Sequence, residues 1–155
     1  MALRRTLILP LCAAVTLGAG CGGGGSGERL TKAEYAAKAD AVCREFQAQV
    51  DELGEPQTLA DLAALADKAL PIVEEGVGKI RDLKPPEELQ ATVDEWIVTG
   101  DKSIKQLNGL RDAAKAKDRA AIQRVATEAQ RNDEKSERLA TKLGMTACAQ
   151  DSDSG

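Results

Sequence analysis

Apolar residues recur at intervals of three and four along four segments of this 155-residue chain. The first segment shows the pattern clearly, with Tyr35, Ala39, Val42, Phe46 and Val50 on one face. This spacing is typical of an amphipathic helix, whose turn holds 3.6 residues. Strand-forming aromatic residues are scarce, at 2% of the chain. The sequence therefore predicts an all-α fold.

Residues that favour helix ends border each periodic segment. The predicted starts are Thr31, which with Glu34 forms a capping box; Thr58, with Asp61 as its acidic partner; and Asp118. A glycine stop is predicted at Gly144, with Met145 packing back on the last helix. The stripe of the third segment continues through Asn108 and Gly109, so one helix is expected there.

The connections between these segments are short, as in the sequence "KPPEE" at residues 84–88. Four helices of similar length joined this way predict an antiparallel up-and-down four-helix bundle over residues 31–148. Pro71 lies inside the second helix and is expected to kink it, because proline lacks the backbone N–H. Residues 149–155 are predicted to be a disordered tail.

An export signal is predicted at residues 1–20. Arg4 and Arg5 precede a short apolar stretch from residue 6 to 17, and the small residues Gly18 and Gly20 follow it. A basic start, an apolar centre and a small-residue cleavage site together are typical of such a signal. The apolar stretch is shorter than the roughly 20 residues of a membrane-spanning helix.

The sequence "LGAGC", which ends at Cys21, resembles the lipobox of bacterial lipoproteins. Its leucine, Leu17, lies one position further from the cysteine than in the usual pattern. The resemblance implies that Cys21 receives a diacylglycerol and that the signal is cut before it. The alternative is ordinary signal cleavage after Gly20. A lipid on Cys21 would place the protein on the extracytoplasmic face of the cell membrane.

Residues 21–30 are predicted to be a flexible tether, since Cys21 is followed by "GGGGSG". Loss of Arg4 and Arg5 with the signal leaves 19 of 21 basic residues against 25 acidic ones, a net charge of −6. This net charge predicts repulsion from an anionic lipid surface. It also argues against nucleic acid as a partner, because nucleic-acid binding needs a basic surface.

The layout also resembles a group of small, Ala-rich helical lipoproteins associated with actinobacterial-type genomes. The matching pieces are "KADAVC" at residues 38–43 and "LGMTAC" at residues 143–148, around a proline-interrupted helical middle. The resemblance implies a fold and a location, and no chemical activity.

The chain contains no histidine. This absence removes the commonest general base and the Glu-x-x-His motif of di-iron bundles. The adjacent acids Glu74 and Glu75 point about 100° apart on a helix, so they do not form a two-acid site alone. No enzymatic activity, catalytic residue, metal or cofactor is predicted. The expected function is a partner-binding or structural module of the cell envelope.

A small apolar-ligand carrier is the alternative function. Pro71 and nearby glycines weaken the second helix, and Trp96 is the only tryptophan, so a pocket near Pro71 and Trp96 is one interpretation. Asn132 and Ser136 add polar groups to the apolar stripe of the fourth helix. The alternatives are that Trp96 only fills the core, and that Asn132 and Ser136 set helix register or contact water.

A disulfide is predicted between Cys43 and Cys148, the two cysteines left when Cys12 departs with the signal and Cys21 takes lipid. Cys43 lies about 18 Å from the end of the bundle where the fourth helix stops. The pairing therefore requires that the chain after Gly144 fold back along the first helix, or that this helix begin later. A metal site and two free thiols are the competing interpretations.

Overall fold

The computed structural model describes residues 28–150, which form four α-helices and no strand. The helices are α1 (Lys32–Asp51), α2 (Leu59–Arg81), α3 (Gln90–Lys115) and α4 (Arg119–Leu143). A single 3-10 turn, Glu87–Leu89, leads into α3. The prediction of an all-α fold is confirmed, and α3 runs unbroken through Asn108 and Gly109.

The predicted helix ends are confirmed by their hydrogen bonds. At α1, Thr31 Oγ1 accepts from the Glu34 backbone N–H, and the Glu34 carboxylate accepts from the Thr31 N–H at 2.9 Å. Thr58 and Asp61 repeat this capping box at α2. Asp118 caps α4, and Gly144 ends it with a positive φ of 79°. These ends form locally because each cap supplies partners for N–H groups that a helix leaves unpaired.

The main hydrophobic core draws on all four helices. It contains Tyr35, Ala39, Ile80, Val93, Trp96, Leu139, Ala140, Leu143 and Met145. Met145 is completely buried, so the predicted packing of this residue behind the glycine stop is confirmed. Removing this apolar surface from water is the main source of stability for the bundle.

Away from this core, alanine dominates the buried positions of α2 and α3, as at Ala63, Ala66 and Ala113. Small side chains let the two helices approach closely. At Gly100 the approach is extreme, because a Cβ atom built there would lie 2.6 Å from Val77 Cγ2. Extensive contacts join α2 to α3 and α3 to α4, whereas α1 packs on α2 less extensively.

The predicted inner face of α1 is fully buried only in its first half. Tyr35 and Ala39 are completely buried, whereas Val42, Phe46 and Val50 remain half-buried. The physical reason is the limited packing of α1 on the other helices, which leaves its second half less covered.

Candidate functional site

The predicted disulfide between Cys43 and Cys148 is confirmed. Their Cα atoms lie 5.2 Å apart, within the range that a disulfide allows, and the bond closes a loop of 105 residues. Cys43 belongs to the second half of α1, and Cys148 belongs to the segment that follows α4. Both cysteines are half-buried.

The segment after α4 reaches Cys43 because it folds back along α1. Gly144 adopts the left-handed conformation that reverses the chain. The Met145 backbone N–H donates to the Ala140 carbonyl at 2.9 Å, which directs its side chain into the core. The first of the two routes that the sequence left open is therefore the one observed.

Asp40 holds this returning segment in place. Its carboxylate accepts hydrogen bonds from the Thr146 backbone N–H at 3.1 Å, the Thr146 hydroxyl at 3.0 Å, the Ala147 N–H at 2.8 Å and the Cys148 N–H at 3.3 Å. We call Asp40, Cys43 and Thr146–Cys148 the C-terminal clasp. Asp40 is buried, and these donors satisfy its carboxylate oxygens there.

Asp40 was not among the predicted site residues. One signal in the sequence points to it, because Asp40 precedes Cys43 by three residues and residues three apart share a face of a helix. A carboxylate on that face therefore lies next to the chain segment that the disulfide joins to α1. The arrangement joins the segment after α4 to α1 through the Asp40 hydrogen bonds and the disulfide.

Trp96 and Pro71, the predicted ligand-binding pair, lie in different surroundings. Trp96 belongs to the main core, where its indole N–H is buried without a partner within the described residues. Pro71 is exposed on α2 and is not part of that core.

Asn132 joins α4 to α3. Its side-chain amide donates to the Thr99 carbonyl at 2.9 Å and to Ser103 Oγ at 3.0 Å. This contact fits the register-setting interpretation, since it fixes α4 at one height against α3. Ser136, one turn further along α4, is half-buried. Gln106, which the sequence analysis did not single out, is buried with no partner for its amide within residues 28–150.

The recesses of the described residues include a small one and an open one. One lies between α1 and α2, is lined by Val42, Phe46 and Ile72 among others, and holds about 10 Å³. This volume is room for about one water molecule. The other is an open groove of about 430 Å³ that Arg29, Arg81, Lys84 and Gln90 help to line. Neither recess is lined by Pro71 or Trp96.

The Tyr35 hydroxyl is the second buried polar group of the core without a hydrogen-bond partner in the described chain. Burial, with a smaller contribution from the negative charge of Asp94, raises the pKa of Tyr35 to about 12. Both effects disfavour the tyrosinate, because the ion loses hydration and meets a like charge. Tyr35 is therefore neutral throughout the physiological range.

Cys21 and residues 151–155 lie outside the described residues, and so do the predicted signal and most of the tether. Among residues 28–150, no helix combines the length and hydropathy needed to cross a bilayer. Within the same range, no three His, Cys, Asp or Glu side chains converge on a common point where a metal ion would fit.

Comparison with known proteins gives no relative: no family model, curated protein or solved structure matches the chain.

Proposed function

We propose that the protein is a lipoprotein of the cell envelope, anchored through a lipid on Cys21 and exposed on the extracytoplasmic face of the membrane. The cysteine pattern carries this proposal. Of the three cysteines after residue 20, Cys43 and Cys148 pair with each other, which leaves Cys21 as the odd one. An unpaired cysteine between an apolar segment and a glycine tether fits lipid attachment better than a free thiol.

The disulfide supports export independently of the lipobox resemblance. Disulfides form and persist in oxidising compartments and are rare in the reducing cytosol. The signal at residues 1–20 and the disulfide therefore support the same location. The anchor would be stable, because two acyl chains hold a protein at a membrane whereas one chain binds only marginally.

We infer an antiparallel up-and-down order for the four helices. Two ion pairs support it: Arg81 near the end of α2 contacts Asp101 in the first half of α3, and Lys115 at the end of α3 contacts Asp67 in the first half of α2. We also retain a kink at Pro71, because the missing N–H removes one hydrogen bond of α2.

The proposed activity is contact with another envelope component, without catalysis. The absence of histidine supports a binding or structural role, because histidine is the commonest general base. A pull-down with a crosslinker in intact cells tests this role, with the Cys21→Ser chain as the control that is not anchored. Recovery of a specific envelope protein by the anchored chain alone is expected. Repeated recovery of none would remove the partner-binding role.

A carrier of small apolar ligands is the alternative proposal. Its support is the indole N–H of Trp96, which has no partner among residues 28–150, since a buried donor is satisfied when a ligand brings an acceptor. Trp96 is the only tryptophan, so its fluorescence would report a ligand directly. A panel of fatty acids and isoprenoids that leaves the emission unchanged would reject this proposal.

A further inference from the structure

Cations line one side of α4 along much of its length. Arg124, Arg131 and Arg138 follow one another at intervals of seven residues, and Lys135 and Lys142 fall close to the same line. Seven residues make nearly two full turns, so these side chains leave the helix in similar directions. All are exposed except Lys135, which is half-buried. The line extends over about 27 Å from Arg124 to Lys142.

The neighbouring side of α3 continues this surface. Lys135 contacts Glu95 at 2.7 Å, which shows that the side of α3 carrying Glu95 lies next to the cations. Val98 and Lys102 follow Glu95 by three and seven residues and therefore share that side. Val98 is the exposed large hydrophobic residue of the described chain, with 59% of its surface accessible.

We call this surface the basic face. It consists of Val98, Lys102, Arg124, Arg131, Lys135, Arg138 and Lys142, with Glu95, Glu128 and Glu134 as its acids. Six cations thus stand against three acids, on a chain whose net charge after loss of the signal is −6. Lys135 forms a salt bridge with Glu95. Positive charge is therefore segregated on one face of an acidic protein.

The basic face begins at the end of the domain where the tether enters. Lys32 Nζ donates to the Lys142 carbonyl at 3.2 Å, so the start of α1 lies beside the last cation of α4. The glycine-rich tether of about eight residues that the sequence predicts would span about 16 Å. The attraction of an anionic surface acts over about 8 Å at physiological ionic strength. An anchored domain is thus held at a distance from which its basic face can reach the membrane surface.

We infer that the basic face lies against the anionic head groups of the membrane to which Cys21 anchors the chain. This inference rests on the proposed function and adds an orientation to it. We expect a lipid surface rather than a protein helix on the basic face. A docked helix needs a row of exposed apolar side chains, and Val98 is the one large apolar side chain exposed on this face. A protein surface that binds a planar array of phosphates needs only positive charge and a shallow apolar contact, and Val98 provides that contact.

Binding to vesicles tests the inference without the lipid anchor. The full chain carrying Cys21→Ser is sedimented with vesicles of phosphatidylglycerol and phosphatidylcholine, and with phosphatidylcholine alone, at low and high salt. A second chain adds Arg124→Glu, Arg131→Glu and Arg138→Glu. A matched control adds Lys38→Glu, Arg44→Glu and Lys68→Glu, three exposed cations on α1 and α2, so that both variants have the same net charge.

The expected result is salt-sensitive binding to the anionic vesicles, weakened by about tenfold or more in the arginine variant and much less in the control. Thermal melting of all three chains verifies that they are folded. Equal losses in both variants, or no binding to anionic vesicles at low salt, would overturn the inference. Binding to polyglutamate but not to vesicles would overturn it in favour of an acidic protein partner. These outcomes do not depend on whether Cys21 is lipidated in cells, which a separate measurement decides.

Discussion

The Asp40 carboxylate accepts a 2.8 Å hydrogen bond from the backbone N–H of Ala147, a residue 107 positions later in the chain. Three residues after Asp40, Cys43 forms the disulfide with Cys148. The same short segment is therefore held to α1 twice, once by a carboxylate and once by a covalent bond. These two contacts bring the end of the folded chain back to its first helix.

Loss of the Asp40 carboxylate is expected to destabilise the protein. Asp40→Ala leaves the buried Ala147 N–H without an acceptor, and an unsatisfied buried donor costs about 1–3 kcal/mol. Urea denaturation should show a fall of this size in the free energy of unfolding. Asp51→Ala is the control, since Asp51 is an exposed acid of the same helix, and it should change stability by less than about 0.5 kcal/mol. Equal effects of the two substitutions would show that the clasp adds no stability.

The disulfide is expected to contribute more to the free energy of unfolding than the Asp40 carboxylate does. Closing a loop of about 100 residues lowers the entropy of the unfolded chain by an amount worth about 4.7 kcal/mol. Reductant or Cys148→Ser should therefore lower the melting temperature markedly. Because Asp40 holds the same segment, Asp40→Ala should cost less in the Cys148→Ser protein than in the parent. Strictly additive effects would mean that the segment stays docked without its disulfide.

The local features of the fold were predictable from the sequence, and the clasp was predictable only in part. Thr31, Thr58, Asp118 and Gly144 act on residues within one turn, so their roles follow from nearby sequence. The pairing of Cys43 with Cys148 followed from elimination among the cysteines. The role of Asp40 could not be predicted in this way. Its hydrogen-bond donors lie more than 100 residues later in the chain, and no local sequence pattern marks them.

The sequence also did not predict the uneven burial of α1, nor that the Gln106 amide lacks a partner among the described residues. Periodicity identifies which face of a helix is apolar, but it does not say how closely a neighbouring helix covers that face. Val42 and Phe46 follow the same spacing as Tyr35 and Ala39 and yet are only half-buried. Of the predicted ligand-binding residues, Asn132 has partners on α3, and ligand binding at Pro71, Trp96 and Ser136 stays a prediction.

Two glycines of α3 are expected to respond to alanine in opposite ways. A Cβ atom at Gly100 would lie 2.6 Å from Val77 Cγ2, whereas one at Gly109 would make ordinary contact with Val125 at 3.6 Å. Gly109→Ala should stabilise the protein by about 0.5–1 kcal/mol through helix propensity. Gly100→Ala should destabilise it, because overpacking costs about 1–3 kcal/mol. Thermal or urea unfolding measures both, and a stabilising Gly100→Ala would contradict the close approach of α2 and α3.

Tyr35 is expected to make the protein lose stability at alkaline pH. The phenol of an unfolded chain ionises near 10, whereas burial raises the pKa of Tyr35 to about 12 in the folded protein. Between these values the unfolded chain releases its proton and the folded one retains it, so the free energy of unfolding falls as pH rises. Below pH 10 both states are neutral and the contribution is constant.

The tyrosinate absorbance band measures this shift directly, because Tyr35 is the only tyrosine. The midpoint of the absorbance titration should lie near pH 12 in the native protein and near pH 10 in denaturant. Tyr35→Phe should remove this part of the alkaline loss while leaving stability at neutral pH within about 1 kcal/mol, since the hydroxyl has no partner to lose among the described residues. A native midpoint near 10 would mean that the hydroxyl is hydrated.

The mass of the intact protein extracted from membranes tests the lipid anchor, the central element of this account. We predict a chain that begins at Cys21, carries a diacylglycerol on its sulfur and has Cys43 and Cys148 joined, with no free thiol before reduction. Cys21→Ser should remove the lipid mass and release the protein from the membrane after salt and carbonate washes. A chain that begins at Cys21 with a bare thiol, or a Cys21→Ser protein that remains in the washed membrane, would contradict the account.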